Sequence, residues 1–242
     1  VLKPLFENPH WFVLSSIILL AEISGCVGGP PQVSTQHVDL GEAGSYDYSL
    51  FGAAKQSPSQ RRPLLVLFHP RGGNAQNMIR LWQEEAESGQ WVLIAIDYDR
   101  LNFNHKKALA AIYRKISELD RAYAIDRKRI YALGVSAGAL VARWLVVQDI
   151  PCWAGVISIA TPDVAGWLPY AANFQGKPIF LFVHGAHDEQ FPANIVTETV
   201  AALKMQNVQV DLIIDPSARH ADYQASWNQQ IVNWIKARES SV

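Results

Sequence analysis

Ile130-Tyr131-Ala132-Leu133-Gly134-Val135-Ser136-Ala137-Gly138 joins an apolar run to a serine set among small residues. Its first six residues, Ile130 to Val135, form an apolar run that predicts a buried strand. Ala137 to Val147 then predicts a helix, so Ser136 sits on the turn between them. Small neighbours allow such a turn to be sharp, which exposes the serine hydroxyl and brings the next backbone N–H toward the same point. Gly134 and Gly138 relieve crowding where strand and helix meet. A Gly-x-Ser-x-Gly string alone also occurs in ordinary turns. The strand-turn-helix setting is what makes Ser136 a candidate nucleophile.

Working outward, strand and helix patterns alternate. Pro63 to His69 contains the run Leu64-Leu65-Val66-Leu67-Phe68, expected of a parallel strand buried on both faces. Asn74 to Ser88 reads as a helix with Met78, Leu81 and Trp82 inward, and Trp91 to Ile96 as the next strand. Lys106 to Tyr123 carries Leu109, Ile112, Ile116 and Leu119 along one helical stripe. Further strands are expected at Trp153 to Ile159, Pro178 to Val183 and Val208 to Ile214, with helices at Asn194 to Gln206 and Ala221 to Ala237. Upstream, Val38-Asp39-Leu40 and Tyr46 to Phe51 suggest a small antiparallel start, joined to the first long strand by a polar turn over Lys55 to Arg62. The pattern predicts an α/β fold of three layers, with a mostly parallel central sheet, occupying residues 37–242. Thr161 to Gly176 is the only stretch suited to a cap. It is short, so the pocket is expected to be open.

With 49% hydrophobic and 18% charged residues in 242, the chain is composed as a folded globular protein. Its net charge of −1 gives no electrostatic reason to expect nucleic acid, and no basic patch or recognition signature is present. The N-terminus is distinctive. Trp11 to Ala21 is apolar, follows Lys3, and is too short for a confident membrane span, like the apolar part of a secretory signal. Ile23-Ser24-Gly25-Cys26 resembles a bacterial lipoprotein processing site. On that reading residues 1–25 are removed and Cys26 becomes lipidated. Residues 26–36, with Gly28, Gly29, Pro30 and Pro31, then tether an exported protein to a cell-envelope membrane, the outer one in a Gram-negative cell. Glu7 and Glu22 fit this less well, and an apolar helix or misassigned upstream sequence competes with it. Only two cysteines exist. If Cys26 carries lipid, Cys152 has no intrachain partner and is expected to be a buried, inert thiol. A Cys26–Cys152 bridge is the alternative.

A serine nucleophile needs a base, and the base needs an orienting group. His220 follows the last strand and precedes the last helix. Asp188 follows the strand Pro178 to Val183. Loops at the carboxyl ends of parallel strands converge, so their separation from Ser136 is no obstacle. His184 and His187 compete as base; His184 is expected to shape the strand end and His187 to be partly exposed. Asp215, Glu189 and Asp163 compete as acid, and Asp222 is expected to start the final helix. For the oxyanion, Ala137 N–H is the first candidate donor. The second should come from His69-Pro70-Arg71-Gly72-Gly73, where Pro70 has no N–H and Arg71 N–H is preferred. Tyr98, Phe103, Trp167 and Tyr170 are candidates for an aromatic substrate rim, against simple packing of loops.

These segments together resemble the α/β-hydrolase superfamily, especially its small esterases near the phospholipase/carboxylesterase, polyhydroxybutyrate-depolymerase and feruloyl-esterase groups. The resemblance runs from about Pro63 to Ile235. It rests on Leu67 to Asn74, the Ser136 segment, the run His184-Gly185-Ala186-His187-Asp188-Glu189-Gln190-Phe191-Pro192, and His220 before the final helix. It implies the chain order Ser136, Asp188, His220 and hydrolysis of a small carboxylic ester through an acyl-enzyme, with no metal or cofactor. Pro70 departs from the glycine that relatives commonly carry after the histidine, which stiffens the turn. A peptidase-like amide hydrolase and a non-catalytic binding protein are the competing functions. No accessory module for a polymer is evident, and oligomeric state is not readable.

Overall fold

A computed structural model describes residues 33–52, 60–102, 106–148, 150–162, 179–220, 222–223 and 225–239. Residues 1–25, Cys26 and most of the expected tether lie outside the described residues. So do Phe103, Asp163, Trp167, Tyr170 and most of the expected cap.

Eight strands form one sheet: β1 (Ser34–Asp39), β2 (Ser45–Gly52), β3 (Arg62–Phe68), β4 (Val92–Asp97), β5 (Ile125–Val135), β6 (Gly155–Ile159), β7 (Ile179–Gly185) and β8 (Val210–Asp215). Their order is β1-β2-β4-β3-β5-β6-β7-β8. The β1–β2 and β2–β4 pairs are antiparallel and all later pairs are parallel. The helices are α1 (Ala75–Gly89), α2 (Lys106–Tyr123), α3 (Ala137–Gln148), α4 (Ala193–Met205) and α5 (Ala225–Glu239).

The period of two along each strand divides the core between two faces. In β3, Leu64, Val66 and Phe68 pack with Ile112 of α2, Leu145 of α3 and Leu203 of α4. Leu65 and Leu67 face the other way, onto Ile79 and Trp82 of α1 and Ile231 of α5. Every residue of β3 is therefore buried. Burial on both faces is why the central strands are continuous apolar runs and the outermost β1 is not. The α/β three-layer fold expected from the sequence is the one observed.

Several boundaries differ for physical reasons. β1 begins at Ser34, inside the segment read as tether, because its pairing to β2 organises residues that show little apolar alternation. β5 begins at Ile125 rather than Ile130. Its first turn of chain, Asp126-Arg127-Lys128-Arg129, is charged and largely exposed, and register with β3 shifts there. β6 starts two residues after Trp153, which is instead buried in the core. α5 starts at Ala225, and Asp222 does not begin it: its carboxylate accepts the Arg219 N–H at 3.0 Å in the loop before. Cys152 is half-buried rather than buried.

Candidate active site

Because β3, β5, β6, β7 and β8 run in parallel, their carboxyl ends open on one side of the sheet, where α/β folds gather functional loops. Ser136 follows the end of β5 at φ 51°, a left-handed conformation unusual for a residue other than glycine. Three contacts hold it there. Its N–H donates to Ile159 O at 2.8 Å, and its carbonyl accepts from Ala139 N–H and Thr161 Oγ1, each at 2.9 Å. The flanking glycines serve close approach. A Cβ on Gly134 would stand 2.1 Å from Gly138 O, and one on Gly138 would stand 2.3 Å from Phe68 O.

His220 Nε2 lies 2.9 Å from Ser136 Oγ, and His220 Nδ1 lies 2.8 Å from Asp188 Oδ2. A carboxylate only accepts, so Nδ1 carries a proton toward Asp188 and Nε2 is left to accept from the serine hydroxyl. The Asp188 side chain is fully buried. Its other oxygen, Oδ1, accepts from Gln190 N–H at 2.9 Å and Phe191 N–H at 2.8 Å. The donors therefore converge on Asp188: the serine hydroxyl donates to the imidazole, the imidazole N–H to Oδ2, and the two backbone N–H groups to Oδ1.

The competing side chains are engaged elsewhere. Asp215 accepts from Ser217 N–H and Oγ–H and from the Trp227 indole at 2.9 Å. The Ser217 N–H first, then the indole, holds its carboxyl below the usual carboxylate range. Glu189 approaches only the His220 backbone N–H, at 3.5 Å. His187 is exposed. His184 is fully buried at the end of β7, with Nε2 donating to Phe191 O at 2.7 Å.

The loop after β3 makes a tight turn, with Gly73 N–H donating to Pro70 O at 2.9 Å and Gly72 at φ 75°. His69 is buried beneath it; Nδ1 donates to Pro70 O at 2.8 Å and Nε2 stands 3.3 Å from Asp97 Oδ1. Arg71 and Ala137 both border the cavity that contains Ser136 and His220. Ala137 is the first residue of α3, so its N–H has no acceptor within the helix.

That cavity has a volume of about 660 Å³. Its apolar walls come from Met78 and Leu81 of α1, Leu140 of α3, Phe191, Tyr223 just before α5, and Trp227 in its first turn. Tyr98 is not among them. It is buried, donates its hydroxyl to His69 O at 2.8 Å, and supports the turn instead of forming a rim. Phe191 and Tyr223 were not legible as cavity residues, because nothing local distinguishes a core aromatic from one facing a cavity. Arg143 was also missed: it is buried in α3 and donates to Thr161 O and Pro162 O, holding the loop after β6. An arginine among the apolar residues of α3 was the available signal. Among the described residues no group of three or more His, Cys, Asp or Glu side chains is arranged to hold a metal.

The architecture is that of an α/β-hydrolase fold, and its site sets a serine, a histidine and a carboxylate in one hydrogen-bonded row. Residues 163–239 match the prolyl oligopeptidase family, a stretch that contains Asp188 and His220 but not Ser136. No curated protein sequence matches the chain significantly. Among solved structures, a thermostable esterase superposes with TM-score 0.63 at 19% identity, over 85% of this chain and 62% of that one. A candidate dipeptidyl aminopeptidase IV from Bacteroides ovatus gives TM-score 0.69 at 16% identity, over 86% of this chain and 36% of that one. A ferulic acid esterase from Anaeromyces mucronatus, in complex with ferulic acid, gives TM-score 0.65 at 12% identity, over 86% and 90%. The chain thus spans less than two thirds of the first two proteins. At these identities the likeness is one of fold.

Proposed function

We propose that the protein hydrolyses small carboxylic esters through a covalent acyl-enzyme on Ser136. The observation that carries this reading is the chain Asp188–His220–Ser136, at 2.8 and 2.9 Å, opening on an apolar cavity. His220 Nε2 takes the serine proton as Oγ bonds to the ester carbonyl carbon. Asp188 keeps the imidazole in the required tautomer and stabilises its cationic form. Arg71 and Ala137 N–H groups receive the oxyanion. When the tetrahedral intermediate collapses, the carbon–oxygen bond to the alcohol breaks and His220 returns its proton to the departing oxygen. Water then repeats the sequence and frees the acid.

A panel of short-chain, long-chain and aromatic esters with matched amides tests the reading. Ester turnover that vanishes in Ser136→Ala supports it; no turnover and no capture of Ser136 by a serine-directed acylating probe overturns it. The prolyl oligopeptidase match over residues 163–239 favours amide hydrolysis as the second reading. Preferential turnover of the amides would select it. We also propose export and lipid attachment at Cys26, with residues 1–25 removed. Its support is the apolar run followed by Ile23-Ser24-Gly25-Cys26. Mass spectrometry of the N-terminal peptide from the membrane fraction tests it, and an unprocessed, unlipidated Cys26 overturns it.

A further inference from the structure

Asp188 is approached by two histidines on one oxygen. His220 Nδ1 lies 2.8 Å from Oδ2, and His184 Nε2 lies 3.4 Å from the same atom. His184 and Asp188 have no side-chain exposure at all. The distance to Asp188 is long, and the shorter contact of His184 Nε2 is to Phe191 O, at 2.7 Å. A carbonyl oxygen only accepts, so Nε2 must carry a proton. That proton is given to Phe191 O, with Asp188 Oδ2 3.4 Å from the same nitrogen. The other nitrogen, Nδ1, is buried without a hydrogen-bond partner. A proton there would be a buried donor with no acceptor. The tautomer with its proton on Nε2 is the one that fits.

These contacts close a ring. Phe191 N–H donates to Asp188 Oδ1, and Phe191 O accepts from His184, which stands on a strand of the central sheet. The Phe191 end of the segment from Asp188 to Phe191 is therefore tied both to the Asp188 carboxylate and to a fully buried side chain of β7. Phe191 also carries the site outward: its ring packs 5.5 Å from the His220 ring and borders the cavity. At the same strand end, a Cβ on Gly185 would stand 2.3 Å from Ala218 O, so the loop that brings His220 is pressed against β7.

We propose that His184 is a positioning residue for the triad. Its Nε2–H anchors the Phe191 carbonyl, and through Phe191, whose N–H donates to Asp188 Oδ1, it fixes both the acid and the phenyl ring that confines His220. The inference rests on the esterase reading above for its kinetic consequence, but not for its structural one. A group acting through two others should influence the transition state more than the binding of a small substrate.

Two variants separate positioning from packing. His184→Phe keeps the ring and removes the donor, whereas His184→Gln retains an amide N–H near the position of Nε2. With a small ester, His184→Phe should lower kcat about tenfold with KM changed by less than about twofold, an effect typical of removing an outer support to a reacting group. His184→Gln should recover most of that loss. The low-field proton signal of the His220 Nδ1–H···Asp188 bond should be present in the wild type and in His184→Gln, and broadened or absent in His184→Phe. Nitrogen-15 shifts of the wild type should show the His184 proton on Nε2. Unchanged kcat and unchanged low-field signal in folded His184→Phe would overturn the proposal. So would a His184 proton on Nδ1, a measurement that stands even where His184→Phe does not fold. The magnetic resonance results do not require ester turnover, so they remain decisive if the esterase reading fails.

Discussion

Tyr98 donates its hydroxyl to the His69 carbonyl at 2.8 Å while its ring stacks on the His69 imidazole with centroids 4.5 Å apart. Burial pushes the phenol well above its ordinary value, so the hydroxyl remains a donor throughout the working range of pH. Tyr98→Phe would leave a buried carbonyl without this partner, at a cost of about 1–3 kcal/mol. Because that carbonyl begins the turn bearing Arg71, kcat on esters should fall on the order of tenfold while KM changes little. Thermal melting and steady-state kinetics measure the two effects.

Ser136→Ala should lower kcat on any turned-over ester on the order of a million-fold, with residual rate from the remaining donors. The variant should melt within a few degrees of the wild type and lose the mass adduct formed with a serine-directed probe. An intact adduct on the variant would move the nucleophile elsewhere.

Gly138 has no room for a side chain, because a Cβ would meet Phe68 O at 2.3 Å and His69 O at 2.5 Å. Both are backbone atoms, so Gly138→Ala must separate α3 from the end of β3. A stability loss of about 1–3 kcal/mol is expected from the forced backbone shift, together with loss of activity exceeding what the lower folded fraction explains. Denaturant titration followed by active-site titration distinguishes them.

Among the described residues, Arg71 is the only permanently charged one bordering the cavity, and it is exposed. Arg71→Gln keeps the backbone N–H and removes the charge. For an ester carrying a carboxylate, KM should rise about two- to fivefold, the scale of an exposed ion pair, and the effect should shrink with added salt. A neutral ester of the same shape should be unaffected. Paired kinetics at two ionic strengths provide the check.

Asp215 binds a proton less readily in the folded protein than an ordinary carboxyl of value 3.8, because Ser217 N–H and the Trp227 indole stabilise its ionised form. The folded value is depressed, so its contribution to stability is complete above 3.8 and is lost as pH falls through the lower folded value. Asp215→Asn should flatten this acid limb. Unfolding curves followed by tryptophan fluorescence at pH values below neutrality read the difference.

The two ends of the Asp188 hydrogen-bond chain illustrate what was legible and what was not. Ser136 could be read because strand, turn and helix are contiguous there, and the small residues on either side have one common purpose. His220 could be read from its position between the last strand and the last helix. The acid was open among several residues. Asp188 and Asp215 both follow strands, and only the folded chain brings one to His220 while the other turns to Trp227. Tyr98 was open between a rim role and simple packing, because an aromatic after a strand suits either. Its inward orientation depends on His69, which is distant in sequence.

By itself, then, the sequence determined the alternation of strands and helices, the parallel sheet, and the exposed turn at Ser136. Those follow from periodicity, burial and backbone sterics within short segments. Tertiary structure alone decided which acid faces His220, that α1 and α5 supply the cavity walls, and that His184 anchors the segment from Asp188 to Phe191. Such relationships depend on where side chains from separate strands converge. No local pattern encodes that distance, and a displacement of a few ångströms decides whether a donor meets its acceptor.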